Sequence, residues 1–364
     1  MNKPYPPVDY AAYLRLDLVL ASQSPKSVEY GRPAHDEMLF IVVHQVYELW
    51  FKQVLHELDS VLMLFRQDSV DERNIGVAIS RLDRITEIQK LLIEQLRVLQ
   101  TMTPLDFLDF RDMLIPASGF QSVQFRLIET KLGLQADRRV PFERSPAEGT
   151  PLRTLQEAQR RAAEEPSLFT LVEQWLERTP FLEARGFRFW SSYREAVDAM
   201  LKGDRLTIES TPTLSDSERQ SQLLELAATE ASFSALLDEA THDRLVREGQ
   251  RRLSHRATLA ALLIHLYRDQ PILHLPFRFL TLLVDVDELL ATWRYRHALM
   301  VHRMIGTKIG TGGSSGHQYL RQTVERNRIF SDFFNLSTFL IPRATLPPLG
   351  EDLERRLGFY YPRE

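Results

Sequence analysis

The chain has 364 residues, of which 44% are hydrophobic and 26% are charged, the balance of an ordinary globular protein. Its formal net charge is -4 and it has no basic tract, so nothing in its electrostatics indicates binding to nucleic acid or to an anionic membrane surface. The chain has no cysteine, which excludes disulfides, thiolate zinc sites, iron–sulfur clusters and a thiolate ligand to haem iron.

Neither a signal peptide nor a membrane helix is expected from the sequence. Residues 1–4 lead into prolines and tyrosines, whereas a signal peptide has an apolar run. The strongest apolar candidate, residues 279–290, is interrupted by Asp285, Asp287 and Glu288, and a membrane helix needs about 18 apolar residues. We therefore expect a soluble, cytoplasmic protein.

Apolar residues recur every three or four positions along most of the chain, which predicts an all-α fold, a helical bundle. One apolar stripe runs over residues 40–62 and a second over residues 75–99. Residues 69–72 predict a capping box that begins the second helix at Ser69. Thr103, followed by proline, predicts the start of a third helix that ends near Pro116.

The middle of the chain has a different composition. Residues 136–220 are rich in polar and charged side chains and contain two short aromatic helices, around 168–178 and 189–201. We interpret this stretch as an inserted helical and loop segment that packs on one domain spanning residues 1–364.

Two further helices complete the predicted bundle. One covers about 119–132 and ends against a glycine. The other is a single long helix over 274–305, with Pro276 as its start signal and Gly306 as its stop signal. A glycine-rich loop, a charged helix and a proline-rich tail follow it.

Two histidines lie on the apolar stripes of different helices. His44 follows Phe40 by four residues and therefore shares its face, and His297 lies at helical spacing among apolar side chains. Because cofactor sites in bundles are built from facing helices, the two could meet around a cofactor. Taken singly, each is explained as well by a core histidine bonded to a backbone carbonyl.

Other site patterns are weaker. A di-iron carboxylate site needs Glu-x-x-His twice, and the chain has it once, from Glu239 to His242. His-Glu-x-x-His, the zinc protease pattern, is absent. The loop at 310–316 matches neither the dinucleotide nor the P-loop pattern. It predicts either a mobile loop that approaches a ligand closely or a flexible turn between helices.

An arginine on the third helix is a candidate for binding a carboxylate. Arg111 follows Phe107 by four residues, and an arginine beside aromatic side chains suits bidentate capture of a carboxylate. A salt bridge to Asp106 or Asp109 is the alternative.

Long motifs in a fixed order span nearly the whole chain. They are DEMLFIVVHQ at 36–45, ELWFK at 48–52, FR at 110–111, PASGFQS at 116–122, WRYRH at 293–297, MIG at 304–306 and GTGGSSG at 310–316, with Tyr10 and Tyr13 before them and LST at 336–338 and PR at 342–343 after them. Together these motifs resemble the tryptophan 2,3-dioxygenase family.

The resemblance implies a haem-dependent enzyme that cleaves the indole C2–C3 bond of L-tryptophan with O2. The product would be N-formyl-L-kynurenine, at the first step of the kynurenine route of tryptophan degradation. His297 would be the proximal ligand of haem b iron, which is ferrous in the active state. His44 would accept a hydrogen bond from the indole N–H, Phe40 would pack against the indole, and Arg111 would hold the substrate carboxylate.

The resemblance also implies the rest of the site. Thr311 would contact the substrate ammonium and a haem propionate. Tyr10 and Tyr13 would reach into a neighbouring subunit's site, within a homotetramer arranged as a dimer of dimers. Three further residues would line the substrate pocket: Phe107, Leu114 and Ser118.

Two other functions remain open on sequence. One is a haem monooxygenase of the same superfamily that acts on an indole or phenol in natural-product biosynthesis. The other is a catalytically silent haem or tryptophan sensor. The chain has Phe40, His44, Arg111 and Thr311 together, and this full set favours the dioxygenase. The number of oxygen atoms added to the product would distinguish the dioxygenase from the monooxygenase.

Overall fold

The computed structural model describes residues 5–136, 139, 151–179, 189–308 and 316–358. Regular structure in these residues is helical throughout, which confirms the all-α prediction. The α-helices are α1 (Tyr10–Leu14), α2 (Leu16–Val19), α3 (Lys26–Glu29), α4 (Glu37–Phe65), α5 (Glu72–Leu99), α6 (Pro104–Arg111), α7 (Val123–Leu132), α8 (Pro151–Glu164), α9 (Leu168–Glu177), α10 (Phe189–Ser210), α11 (Asp216–Leu237), α12 (Glu239–Arg247), α13 (His255–Leu266), α14 (Pro271–Ile305), α15 (Gly316–Arg326), α16 (Ser331–Asn335) and α17 (Glu351–Leu357). Short 3-10 helices cover Asp112–Leu114, Gly119–Gln121, Leu336–Phe339 and Arg343–Thr345.

Three long helices form the centre of the bundle. Helix α5 packs along both α4 and α14, while α7 packs on α4 and α15 packs on α14. The two apolar stripes predicted from sequence face this core, because side chains three and four residues apart lie on one side of a helix. Completely buried members include Leu58, Val61, Leu82, Leu283 and Val286.

The beginning of α5 differs from the prediction. Asp71, and not Ser69, is the capping residue, and its carboxylate accepts a hydrogen bond of 2.8 Å from the Asn74 amide. An aspartate caps as well as a serine and also places negative charge at the positive end of the helix dipole. By contrast, the predicted start of α6 at Thr103 is confirmed, and Thr103 and Asp106 form a capping box there.

The long helix also begins earlier than predicted. Helix α14 starts at Pro271 and contains Pro276 in its interior, where the sequence predicted a start. A proline inside a helix removes one backbone hydrogen bond and costs about 3 kcal/mol. Leu273, Pro276 and Phe279 are all buried in the core, and this burial offsets that cost. The predicted end at Gly306 is confirmed.

The helix predicted over 119–132 is divided into two parts. A 3-10 turn covers Gly119–Gln121, and Ser122 then caps α7 by accepting a hydrogen bond from the Phe125 amide. The helix ends at Gly133, whose φ of 114° is a conformation that glycine adopts without strain. A Cβ at this position would lie 2.7 Å from the Cβ of Phe169, so the close packing of α9 also requires glycine.

The described part of the 136–220 segment contributes to the main core. Helix α9 buries Leu168, Val172 and Leu176 completely, and Trp175 packs edge-on against Phe65 of α4. Helix α10 continues to Ser210, nine residues beyond the predicted end at 201. No helix in the described ranges is long and apolar enough to cross a membrane.

Candidate active site

A cavity lies between α4, α5, α7, α14 and α15. About 870 Å³ of space there, including its open mouth, is not filled by protein atoms. His44 and His297, which the sequence predicted to meet, both line it. Its walls are formed by His44, Tyr47, Glu48, Phe51, Leu96, Leu99, Gly119, Ser122, Phe125, Arg126, Glu129, Trp293, Arg294, His297, Met300, Leu320, Thr323 and Asn327.

The hydrogen bonding of His44 defines its tautomer. Its Nδ1 lies 2.7 Å from the backbone oxygen of Phe40, and because a carbonyl only accepts, Nδ1 carries the proton. Burial lowers the pKa of His44 below its ordinary value, against the opposing effects of this hydrogen bond and of Glu48. The ring is therefore neutral, and its Nε2 has a lone pair that can accept a hydrogen bond.

His297 is the second neutral imidazole of the cavity. Burial lowers the pKa of His297 to about 4, and the neighbouring His44 adds to this shift. Its Nδ1 is buried and has no hydrogen-bond partner among the described residues. Trp293 lies against the ring, with centroids 5.0 Å apart and planes inclined by 6°. A neutral imidazole in such a cavity is a suitable metal ligand.

Aromatic side chains form a cluster beside His44. The Phe40 ring lies 4.1 Å from the His44 ring and 5.7 Å from that of Phe107, measured between centroids. Helix α6 also contributes Phe110, a member of the FR motif without a predicted role, which is completely buried 5.6 Å from Phe40. Its spacing of three residues from Phe107 was the sequence signal that could have placed it in this cluster. Leu114 packs against the same core.

Arg111 ends α6, and its side chain is largely buried. Its Nη1 lies 3.3 Å from Oδ1 of Asp112, whose side chain is 83% exposed. Asp106, a partner considered from sequence, instead caps the helix, and its hydrogen bonds with Thr103 lower its pKa. Ser118 is half-buried, and its amide donates to Oε1 of Gln121 at 3.4 Å.

Of the predicted site residues that the structure describes, only His44 and His297 line the cavity. Tyr10 and Tyr13 lie on α1 at the surface, each 74% exposed. Thr311 and the rest of the glycine-rich loop, apart from Gly316, lie outside the described residues.

A buried ionic network on the cavity wall was not predicted. Arg294 donates through Nη2 to Oε1 of Glu129 at 2.8 Å and through Nη1 to the Asn327 carbonyl at 3.0 Å. Arg126 lies 3.3 Å from the other oxygen of Glu129, and Arg139 lies at 3.7 Å. Burial alone would raise the pKa of Glu129, but the guanidinium groups outweigh it and hold that pKa below its ordinary value. The only sequence signal was a glutamate on the buried face of α7.

The histidine of the single Glu-x-x-His motif has a structural role. His242 is completely buried, although its sequence neighbourhood is polar. Its Nε2 lies 3.0 Å from the Leu253 carbonyl, and its Nδ1 lies 2.9 Å from a guanidinium nitrogen of Arg251. Both ring nitrogens that could bind a metal are therefore already engaged by protein groups.

Comparison with known proteins gives one family over nearly the whole chain. The family model for tryptophan 2,3-dioxygenase matches residues 6–340. A tryptophan 2,3-dioxygenase of Bdellovibrio bacteriovorus is 55% identical over 98% of this chain and 99% of its own length. Those of Alteromonas mediterranea and Dictyostelium discoideum are 50% and 49% identical, over 99% and 97% of this chain and 99% and 88% of their own lengths. The chain belongs to the tryptophan 2,3-dioxygenase family.

Proposed function

We propose that the protein is a haem-dependent dioxygenase that opens the indole ring of L-tryptophan with O2 to give N-formyl-L-kynurenine. The observation that carries the proposal is that two neutral histidines on different helices, His44 and His297, line one cavity. Membership of the family and the names of its relatives, at 49% to 55% identity, support the same reaction.

The chemistry of the cavity lining is suited to haem b. His297 would bind the iron through Nε2, because its ring is neutral and lines the cavity. Phe51, Leu96, Leu99 and Met300 provide apolar wall for the macrocycle. Haem supplies the binding and activation of O2 when it is bound in its ferrous form. The protein then has to orient the substrate.

His44 would orient the indole. Its Nδ1–H is engaged by the Phe40 carbonyl, so Nε2 is the nitrogen that can accept a hydrogen bond from the indole N–H. We assign it a positioning role, because a histidine with a lowered pKa is a weak base for an indole proton. Phe40 and Phe107 would pack against the indole ring.

Arg111 would bind the substrate carboxylate by charge-assisted hydrogen bonds. Thr311 would contact the ammonium group, and Leu114 and Ser118 would line the same pocket. The exposure of Tyr10 and Tyr13 leaves them accessible to a neighbouring subunit, which agrees with a homotetramer, a dimer of dimers, in which they complete the partner site.

We also propose that residues 1–364 form one domain and that residues 136–220 are an insertion in it. The burial of α9 in the main core supports this arrangement. Separate unfolding transitions for the segment and for the rest of the chain would contradict it.

The proposal is tested by mixing the purified, haem-loaded and reduced protein with L-tryptophan in air, and by following both product absorbance and product mass. We expect a product that has gained two oxygen atoms. His297→Ala should lose haem and activity, whereas His302→Ala, on the exposed face of the same helix, should keep both.

Each other outcome identifies a rival. A product with one added oxygen atom would indicate the monooxygenase. Bound haem and bound tryptophan without turnover would indicate the sensor. Failure of the parent protein to bind haem would overturn the proposal.

A further inference from the structure

Trp293 lies one helical turn before His297 on α14, and its ring is parallel to the imidazole. We propose that Trp293 is the positioning residue that fixes the plane of the His297 ring against the iron. This inference rests on the proposed function, because it takes His297 as the haem ligand. The planes of the two rings are inclined by 6° and their centroids are 5.0 Å apart, the geometry of an offset stack.

The stack supplies a constraint that His297 otherwise lacks. A histidine that binds a metal almost always donates its other ring N–H to a carboxylate, a carbonyl or a water, and this bond sets the ring orientation. In the described residues no protein group accepts from Nδ1 of His297. Packing therefore has to limit rotation of the ring, and the face of Trp293 is the aromatic surface in contact with it.

Trp293 is itself held on two other sides. Phe125 of α7 lies 5.1 Å from it between centroids, and Tyr47 of α4 meets it edge-on at 6.1 Å. Tyr47 is buried, and its hydroxyl donates to the Leu92 carbonyl of α5 at 2.6 Å. Helices α4 and α7 thus fix the indole ring, and the indole in turn fixes the imidazole plane relative to the bundle.

The angle between the imidazole and the porphyrin affects the strength of the iron–nitrogen bond. A change in the plane of the imidazole should therefore alter the iron–histidine stretching band. Replacement of Trp293 by leucine removes the parallel surface but keeps an apolar side chain. Replacement by phenylalanine keeps an aromatic face of smaller area. Removal of an outer contact to a metal ligand typically weakens metal binding by about 10- to 100-fold.

The experiment compares Trp293→Leu, Trp293→Phe and Trp175→Leu, each as the ferrous holoprotein without substrate. Trp175 is a matched control, because it is also half-buried and packs edge-on against Phe65 and Phe279 in another part of the core. The readouts are the iron–histidine stretching band in resonance Raman spectra and the rate of haem transfer to an excess of apomyoglobin.

We expect Trp293→Leu to shift or broaden the iron–histidine band and to release haem about 10- to 100-fold faster. Trp293→Phe should show a smaller change in the same direction. If Trp293→Leu does not fold, Trp293→Phe provides the test in its place. Trp175→Leu should leave the band of the parent unchanged, even where it lowers the unfolding midpoint.

An unchanged band and unchanged haem release in Trp293→Leu would overturn the inference. Equal changes in Trp175→Leu would also overturn it, because they would indicate general loosening of the core. Failure of the proposed function is recognised separately: the parent would show no iron–histidine band, or His297→Ala would retain it.

Discussion

The two walls of the cavity are built differently. On the His297 side, the central charged pair is buried: Arg294 and Glu129 bind each other and are 3% and 1% exposed. On the His44 side, here called the open wall, Arg111 of α6 lies beyond the residues that line the cavity and is paired with an exposed carboxylate. The first wall holds its charges in a buried network, whereas the second pairs its arginine with a carboxylate that faces solvent.

This difference indicates a division of roles. A closed network of buried charges holds helices in one arrangement, which suits a wall that carries a fixed cofactor. A wall with accessible polar groups suits a ligand that enters and leaves. Substitutions on the His297 side should therefore lower stability and haem retention, while those on the His44 side should change substrate binding with little effect on stability.

The largest effect is expected for Arg294→Met. It leaves the Glu129 carboxylate buried with fewer cationic partners and removes the donor to the Asn327 carbonyl. Breaking one partner of a buried ion pair costs about 3 to 5 kcal/mol of the free energy of unfolding. Urea denaturation, followed by circular dichroism, measures this loss.

Arg296→Met is the control on the same helix. Arg296 lies 3.6 Å from Glu94, and both side chains are about half exposed, so the loss should be about 0 to 1 kcal/mol. If both variants lost a similar free energy of unfolding, burial of the ionic network would not explain the difference between the two walls.

The network that Arg294→Met breaks could not be predicted from sequence. Glu129 and Arg294 are 165 residues apart, and helical periodicity reports only which local neighbours share a face. The same limit explains the start of α14, where burial of Pro276 overrides its local tendency to begin a helix. What periodicity could predict was the all-α class and the stripes of α4 and α5.

The candidate site was predictable to a similar extent. The stripes indicated His44 and His297, and the motifs then implied their roles. Sequence could not show that His44 has an acceptor for Nδ1 while His297 has none in the described chain, because these contacts depend on ring orientation. Nor could it show the stack of Trp293 on His297, although their spacing of four residues permitted it.

A second prediction tests the open wall. Arg111→Lys keeps the charge but removes the fork that binds both carboxylate oxygens. Hydrogen bonds to charged groups contribute about 1.5 to 3 kcal/mol, so KM for L-tryptophan should rise about 10- to 150-fold. Steady-state kinetics measure the rise, and the free energy of unfolding should change by less than about 1 kcal/mol.

Arg97→Lys, at an exposed position on α5, should change neither KM nor stability. A large loss of stability in Arg111→Lys, with KM unaltered, would mean that Arg111 belongs to the structural framework and not to the substrate site.

A third prediction isolates the hydrogen bond to His44. The parent should bind L-tryptophan about fivefold more tightly than its benzothiophene analogue, which lacks the N–H, because one hydrogen bond contributes about 1 kcal/mol. In His44→Ala this preference should disappear, and in Arg111→Lys it should persist while both ligands bind more weakly. The preference is measured from dissociation constants for the haem-loaded protein. If His44→Ala retains it, His44 does not contact the indole nitrogen.

The smallest effect is the dependence of activity on pH near neutrality. His44 has to be neutral to accept a hydrogen bond, and burial lowers its pKa below the ordinary value of about 6.5. Even at that ordinary value about three quarters of the rings would be neutral at pH 7, so kcat/KM should rise by less than about 1.3-fold between pH 7 and pH 8. Because the pKa is lowered, activity should decline only as the pH falls below 6.5. A steep rise in kcat/KM from pH 7 to pH 8 in the parent, absent from His44→Ala, would mean that the folded protein raises the pKa of His44, and the open wall would then hold a charged ring at neutral pH.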